Sequence, residues 1–175
     1  MMFKAHILSY IEYRTPGIAH ASTTTLRPID RILARFLREI GMSENAALLY
    51  FGLAPLATRR GIAMLGVVHR AVLRQGPEHL HGFFTASGPR SRLGGRSWHH
   101  RHVSDIATGL RKDYLSRSLL GYAWVYNLLP DHVVAAGSVN LLQRECQLLL
   151  KSRVMESDWR ETFSCRIAPR RHALW

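Results

Sequence analysis

The stretch Leu26 to Ile40 constrains the chain most. Leu26, Ile29, Leu33, Phe36, Leu37 and Ile40 recur at steps of three and four residues, which makes one apolar face of an α-helix. Arg27, Arg31, Arg35 and Arg38 recur at similar steps on another face, and Asp30 and Glu39 are the only acids among them. Thr24 or Thr25 can cap the start, Pro28 is tolerable in a first turn, and Gly41 can end the helix in the left-handed conformation. One side of this helix needs a core. The other presents a row of arginines, which is either a solvated basic face or a strip that lies along phosphates.

The same period runs through the other apolar segments. Phe3, Ile7, Tyr10 and Ile11 give a helical stripe that Pro16-Gly17 should stop. Ser43 caps a short helix to Leu49 or Tyr50, closed by Gly52. Pro55 opens a longer helix to Gln75 whose apolar residues lie almost all round, which requires burial. Gly61 and Gly66 lower its propensity by about 1 kcal/mol each, and they read as points of close helix approach. Leu115, Leu119, Tyr122, Tyr126 and Leu129 form a further helical face ended by Pro130. Ser138 starts a last helix with Val139, Leu142, Cys146, Leu149 and Leu150 inward. No stretch alternates for long enough to make a sheet. The expected fold is mainly α, a small bundle of about five or six helices around one core. Residues 85 to 113 break the pattern with Gly88, Pro89, Gly94, Gly95 and Gly109, and with Arg90, Arg92, Arg96, Arg101 and Arg111. They read as a basic Gly-rich loop between two halves, with a short extended piece near His102 to Ile106. The plan is thus a helical region over 1–84, the loop over 85–113, a helical pair over 114–155, and a basic tail over 156–175.

Charge then narrows the partner. Lys and Arg number 24 against 12 Asp and Glu, a formal charge of +12, and only Lys4, Lys112 and Lys151 are lysines. Arginine forks match phosphate oxygens, so a polyanion is the expected partner. Cys146 and Cys165 make no disulfide framework. Glu12 and Arg14 interrupt the apolar start, with no cleavage site after them, and the apolar run Ala46 to Ala57 is too short to span a bilayer. An intracellular protein, nuclear or cytoplasmic, without a membrane partner is expected.

No catalytic set emerges. His99, His100 and His102 are dense but have no Cys or acid at zinc spacing, so they read as a polar loop. Ser164-Cys165 has no histidine at a useful spacing. Asp30, Asp105, Asp113, Asp131 and Asp158 share no motif that would hold two magnesium ions. Gly94-Gly95 lacks the ending of a phosphate loop. No cofactor is implied. Trp98, among arginines, either stacks on a base or anchors a loop, whereas Trp124 inside a helix reads as core.

Four segments in order resemble a known family. His6 to Gly17, HILSYIEYRTPG, resembles the I-x-P-x-L-E-Y-x-S-P segment after the catalytic palm of LINE-type (non-LTR) retrotransposon reverse transcriptases. Leu26 to Ile40 resembles the arginine-rich helix that follows there. Leu53 to Arg60, LAPLATRR, resembles the L-G-L-x-x-L-x-x-R-R start of the next long helix. Tyr126 to Val134, YNLLPDHVV, resembles W-N-x-L-P-x-x-V-V, with tyrosine in place of the usual tryptophan. The resemblance covers most of residues 6 to 153. The family's aromatic-x-Asp-Asp box has no counterpart, so only the thumb and the segment after it are represented. The resemblance implies a non-catalytic, thumb-like module over 1–84 that grips an RNA–DNA or DNA duplex through phosphates, and a polymerase palm domain encoded elsewhere. It adds Arg59 and Arg60 to Arg27, Arg31, Arg35 and Arg38 as nucleic-acid contacts. The alternative is a helical protein-interaction module that docks an acidic partner or that missing domain. A continuous arginine strip would favour nucleic acid, and an exposed apolar patch on the Phe3 to Tyr13 helix would favour docking.

Overall fold

The computed structural model describes residues 3–13, 15–85, 101, 103, 118–166, 172 and 174. The fold is mainly α-helical, as the apolar periods require. A π-helical turn, Phe3–Leu8, leads into α1 (Ser9–Tyr13) and α2 (Thr15–Ile18). Then come α3 (Thr23–Glu39), α4 (Glu44–Phe51), α5 (Leu56–Val72) and α6 (Glu78–His81). A 3-10 turn, Leu119–Gly121, precedes α7 (Tyr122–Leu128), α8 (Asp131–Val134) and α9 (Val139–Ser152). A last 3-10 turn covers Trp159–Glu161.

Local chemistry sets the boundaries. Ser43 caps α4 with its hydroxyl accepting from the Ala46 N–H at 3.2 Å, Gly52 ends it at φ +64°, and Ser138 caps α9 in the same way. The cap of α3 is Ser22, which accepts from the Thr25 N–H at 3.2 Å. The helix therefore starts three residues before Leu26, and Pro28 lies inside it. The missing proline N–H strands the carbonyl of Thr24, an exposed residue where water can replace the lost bond. Pro16-Gly17, expected as a stop, is itself helical. Both residues lie in α2, with Pro16 early enough in the turn for its lost N–H not to matter.

The long helix α5 is the hub, touching α2, α3, α6, α7, α9 and the Trp159–Glu161 turn. The single core expected from sequence is two clusters that meet along it. Leu56, at its start, joins Leu8, Leu33, Leu37, Ala47 and Leu53, with Phe3 stacked on Phe36 at 3.9 Å. Further along, Ile62, Leu65, Val68 and Ala71 join Val125, Leu142, Cys146, Leu150, Trp159 and Phe163. Both glycines are points of close approach, Gly66 to the helix α9 as expected and Gly61 to the turn that holds Phe163. A Cβ on Gly61 would stand 2.6 Å from the Phe163 carbonyl oxygen, and one on Gly66 would stand 2.9 Å from the Gln143 amide nitrogen. The segment read as a basic tail also differs. Trp159, Phe163, His172 and Leu174 are buried, and nothing in the sequence signals it, because their spacing carries no helical or strand period. Among the described residues, no single helix is long and apolar enough to cross a membrane.

Candidate nucleic-acid interface

The helix α3 separates its two faces as its sequence demands. Leu26, Leu33 and Leu37 are buried. At 100° per residue, Arg27, Arg31, Arg35 and Arg38 fall within an arc of about 80°, centred about 135° from those leucines. All four are exposed. At 1.5 Å per residue, the row from Arg27 to Arg38 is about 17 Å long. Arg35 has Glu39 at 3.8 Å, both in open solvent, where such a pair is worth little. Among the described residues, Arg27, Arg31 and Arg38 have no acidic partner. Arg166, also exposed, donates to the Ala21 carbonyl at 3.0 Å and stands at the N-terminal end of the same helix.

Arg59 and Arg60 lie elsewhere. They occupy the seam of α5 where the two apolar clusters meet. Arg59 pairs with Glu12 of α1 and donates to the Gly52 carbonyl at 3.2 Å. Arg60, with only 8% of its surface exposed, donates from Nη2 to Asp30 Oδ2 of α3 at 2.9 Å, and its Nη1 stands 2.6 Å from Oδ1 as an ion pair without hydrogen-bond geometry. A guanidinium held in that seam must keep a carboxylate, because an unpaired buried charge is costly. The two residues expected beside the row are thus clamps that tie α1 and α3 to α5, and they are not presented with it.

A cleft of about 320 Å³ opens beside the start of α3, lined by Asp30, Arg60, Tyr122, Arg160, Glu161 and Arg166 among others. Its charges nearly cancel. Arg60 holds Asp30, Arg160 holds Glu44 at 2.7 Å, and Glu161 offsets Arg166. Cys165, also in the cleft, has its thiol pushed up by burial, and burial likewise raises the Tyr122 hydroxyl. A thiol kept protonated is a poor nucleophile.

Polar residues where α5 meets α7 serve the fold. His69, fully buried on α5, lies 2.8 Å from the Tyr126 hydroxyl and 3.0 Å from the Ala136 carbonyl. The carbonyl can only accept, so Nε2 carries the proton and Nδ1 accepts from Tyr126. Desolvation, together with the nearby Arg101, lowers the His69 pKa to about 4, against the opposing Ala136 bond. Asn127 accepts from the Val103 N–H at 2.9 Å and donates to its carbonyl at 2.7 Å, substituting for a strand partner. Arg101 donates to the Val134 and Ala136 carbonyls, so one arginine of the basic loop has an internal role. Arg90, Arg92, Arg96, Arg111, Trp98 and the His99, His100, His102 cluster lie outside the described residues. No group of three or more His, Cys, Asp or Glu side chains placed to hold a metal occurs among the described residues.

No protein-family model, curated protein or solved structure matches the chain.

Proposed function

We propose that the chain is a non-catalytic, thumb-like module that grips a nucleic-acid duplex through backbone phosphates, and that it derives from a LINE-type retrotransposon reverse transcriptase. The observation that carries this reading is the exposed row on α3, where three of four guanidiniums have no acidic partner among the described residues. A duplex carries one charge per ~1.7 Å of axis, so about ten phosphates lie within the row's ~17 Å length. Arginine forks suit those oxygens bidentately. Contacts of this kind position a duplex without reading bases. The test is fluorescence anisotropy with labelled DNA and RNA–DNA duplexes of unrelated sequence. All should bind alike, and Arg31→Gln/Arg35→Gln should weaken all of them together, whereas Arg70→Gln/Arg74→Gln at the far end of α5 should not.

A second reading is favoured by a separate observation. Ile7, Tyr10 and Tyr13 on the first helical segment are 44%, 75% and 86% exposed. Large apolar side chains grouped on one short segment suit docking to a protein, such as a polymerase palm domain encoded elsewhere.

A further inference from the structure

One arginine from the far end of the chain is pinned beside the α3 row. Arg166, 145 residues from Ala21 in sequence, donates from Nη2 to the Ala21 carbonyl at 3.0 Å. Thr23, the first residue of α3, lines the same cleft as Arg166. Thr23 also lies one turn before Arg27, on nearly the same face of the helix. The Arg166 guanidinium therefore stands next to the first member of the row, just before the helix starts.

Arg166 is tethered twice and still exposed. Its backbone N–H donates to the Ser164 hydroxyl at 3.3 Å, and its side chain is held at Ala21. The Ala21 bond occupies one arm of the fork, and among the described residues its other donors are unengaged. Glu161 shares the cleft but makes no ion pair with it. Anchoring the segment does not account for a charge at this place. The first turn of α3 holds no acid, and Arg27 follows it directly. The helix end is itself positive, so a further cation is disfavoured there. An uncharged donor would tie the segment to Ala21 without that repulsion. A phosphate removes the conflict by pairing with Arg166 while facing Arg27, and the two tethers lower the entropy cost of making the contact.

We propose that Arg166 is a further phosphate contact of the duplex site, extending the α3 row past the start of the helix. The inference rests on the duplex reading. At about 1.5 Å per residue, Ala21 lies about 9 Å before Arg27 along the axis, so the strip lengthens from about 17 to about 25 Å. Phosphates repeat about every 3.4 Å along one strand, so the row alone matches about five base pairs and the longer strip about seven. The site is then assembled from two distant parts of the chain, and Arg166 fixes where along α3 the duplex is seated.

The test measures the full chain by fluorescence anisotropy against hairpin duplexes of five and nine base pairs closed by the same loop. Arg166→Gln should weaken the nine-pair hairpin about tenfold, the loss of one charged hydrogen bond, and the five-pair hairpin by less than about twofold. Glutamine keeps a donor for the Ala21 carbonyl, so the melting temperature should match the parent's. Arg166→Lys keeps the charge and should recover most of the loss. Arg144→Gln, an equal loss of charge at an exposed position of α9, should leave both hairpins unaffected. The proposal is overturned if Arg166→Gln binds the nine-pair hairpin like the parent, if both hairpins weaken equally, or if Arg144→Gln has the same effect. A parent that binds neither hairpin removes the duplex reading and this contact together. A parent that binds both, and weakens with Arg31→Gln/Arg35→Gln but not with Arg166→Gln, removes this contact alone.

Discussion

The fold should lose stability on mild acidification through two buried histidines. His69 and His172 both have pKa values lowered to about 4, mainly by desolvation. In the unfolded chain each binds its proton near 6.5. Between those values the unfolded state holds more protons, so stability is full above about 6.5 and falls as pH drops toward 4. Each proton contributes up to about 1.4 kcal/mol per pH unit, so His69 alone removes about 3 kcal/mol by pH 4. The two together remove about 6 kcal/mol, a large part of the 5–15 kcal/mol that holds a small domain. Protonation also disturbs a specific bond, because Nδ1 of His69 can no longer accept from Tyr126. Urea unfolding followed by circular dichroism, at several pH values from 7.5 to 4.5, gives the slope directly. His69→Gln should remove about half of the slope between pH 6 and 4.5, whatever it does to stability at pH 7.5. Stability that is flat over this range, or a His69→Gln variant that keeps the whole slope, would refute the buried network.

Other consequences are local. Gly61→Ala drives a Cβ to 2.6 Å from the Phe163 carbonyl and should cost about 1–3 kcal/mol in thermal or urea melting. Gly82→Ala, with φ −68° and nothing within 4 Å, should instead be neutral or stabilise by about 0.5 kcal/mol. Asp30→Ala strips Arg60 of its carboxylate and should cost about 2–3 kcal/mol, less than a fully buried pair because Asp30 is a third exposed. The purified chain should not extend a primer with any nucleotide and metal, because two-metal phosphoryl transfer needs clustered carboxylates. An activity that survives repurification and is lost when one aspartate is replaced would contradict this.

The helices were legible wherever a stripe and a cap coincide. Ser43 with Gly52, Ser138 with Leu142, Cys146 and Leu150, and the two faces of α3 all follow from side-chain spacing and turn chemistry. Gly61 and Gly66 were legible as contact points because nothing else justifies glycine in a buried helix. The start of α3 was misplaced because Ser22, Thr24 and Thr25 are all competent caps, and only the hydrogen bond to the Thr25 N–H selects Ser22. Trp159 and Phe163 carry no period, so their burial depends on the partner surface at Gly61, which sequence spacing cannot supply. Arg59 and Arg60 looked the same as the exposed arginines. Their pairing with Glu12 and Asp30 is a tertiary event across 47 and 30 residues. The exposed row itself was legible because the leucines of the same helix fix which side faces out.

The salt dependence of duplex binding tests the assignment of that row most directly. If Arg27, Arg31, Arg35 and Arg38 each neutralise one phosphate, log affinity should fall against log salt with a slope of about −3.6 on B-form DNA, from about −0.9 per contact. Arg31→Gln/Arg35→Gln should flatten the slope by about 2 and weaken unrelated sequences equally. The variant's melting temperature should match that of the parent, since both side chains are exposed. A folded double variant with the parent's affinity and slope would contradict phosphate binding by α3.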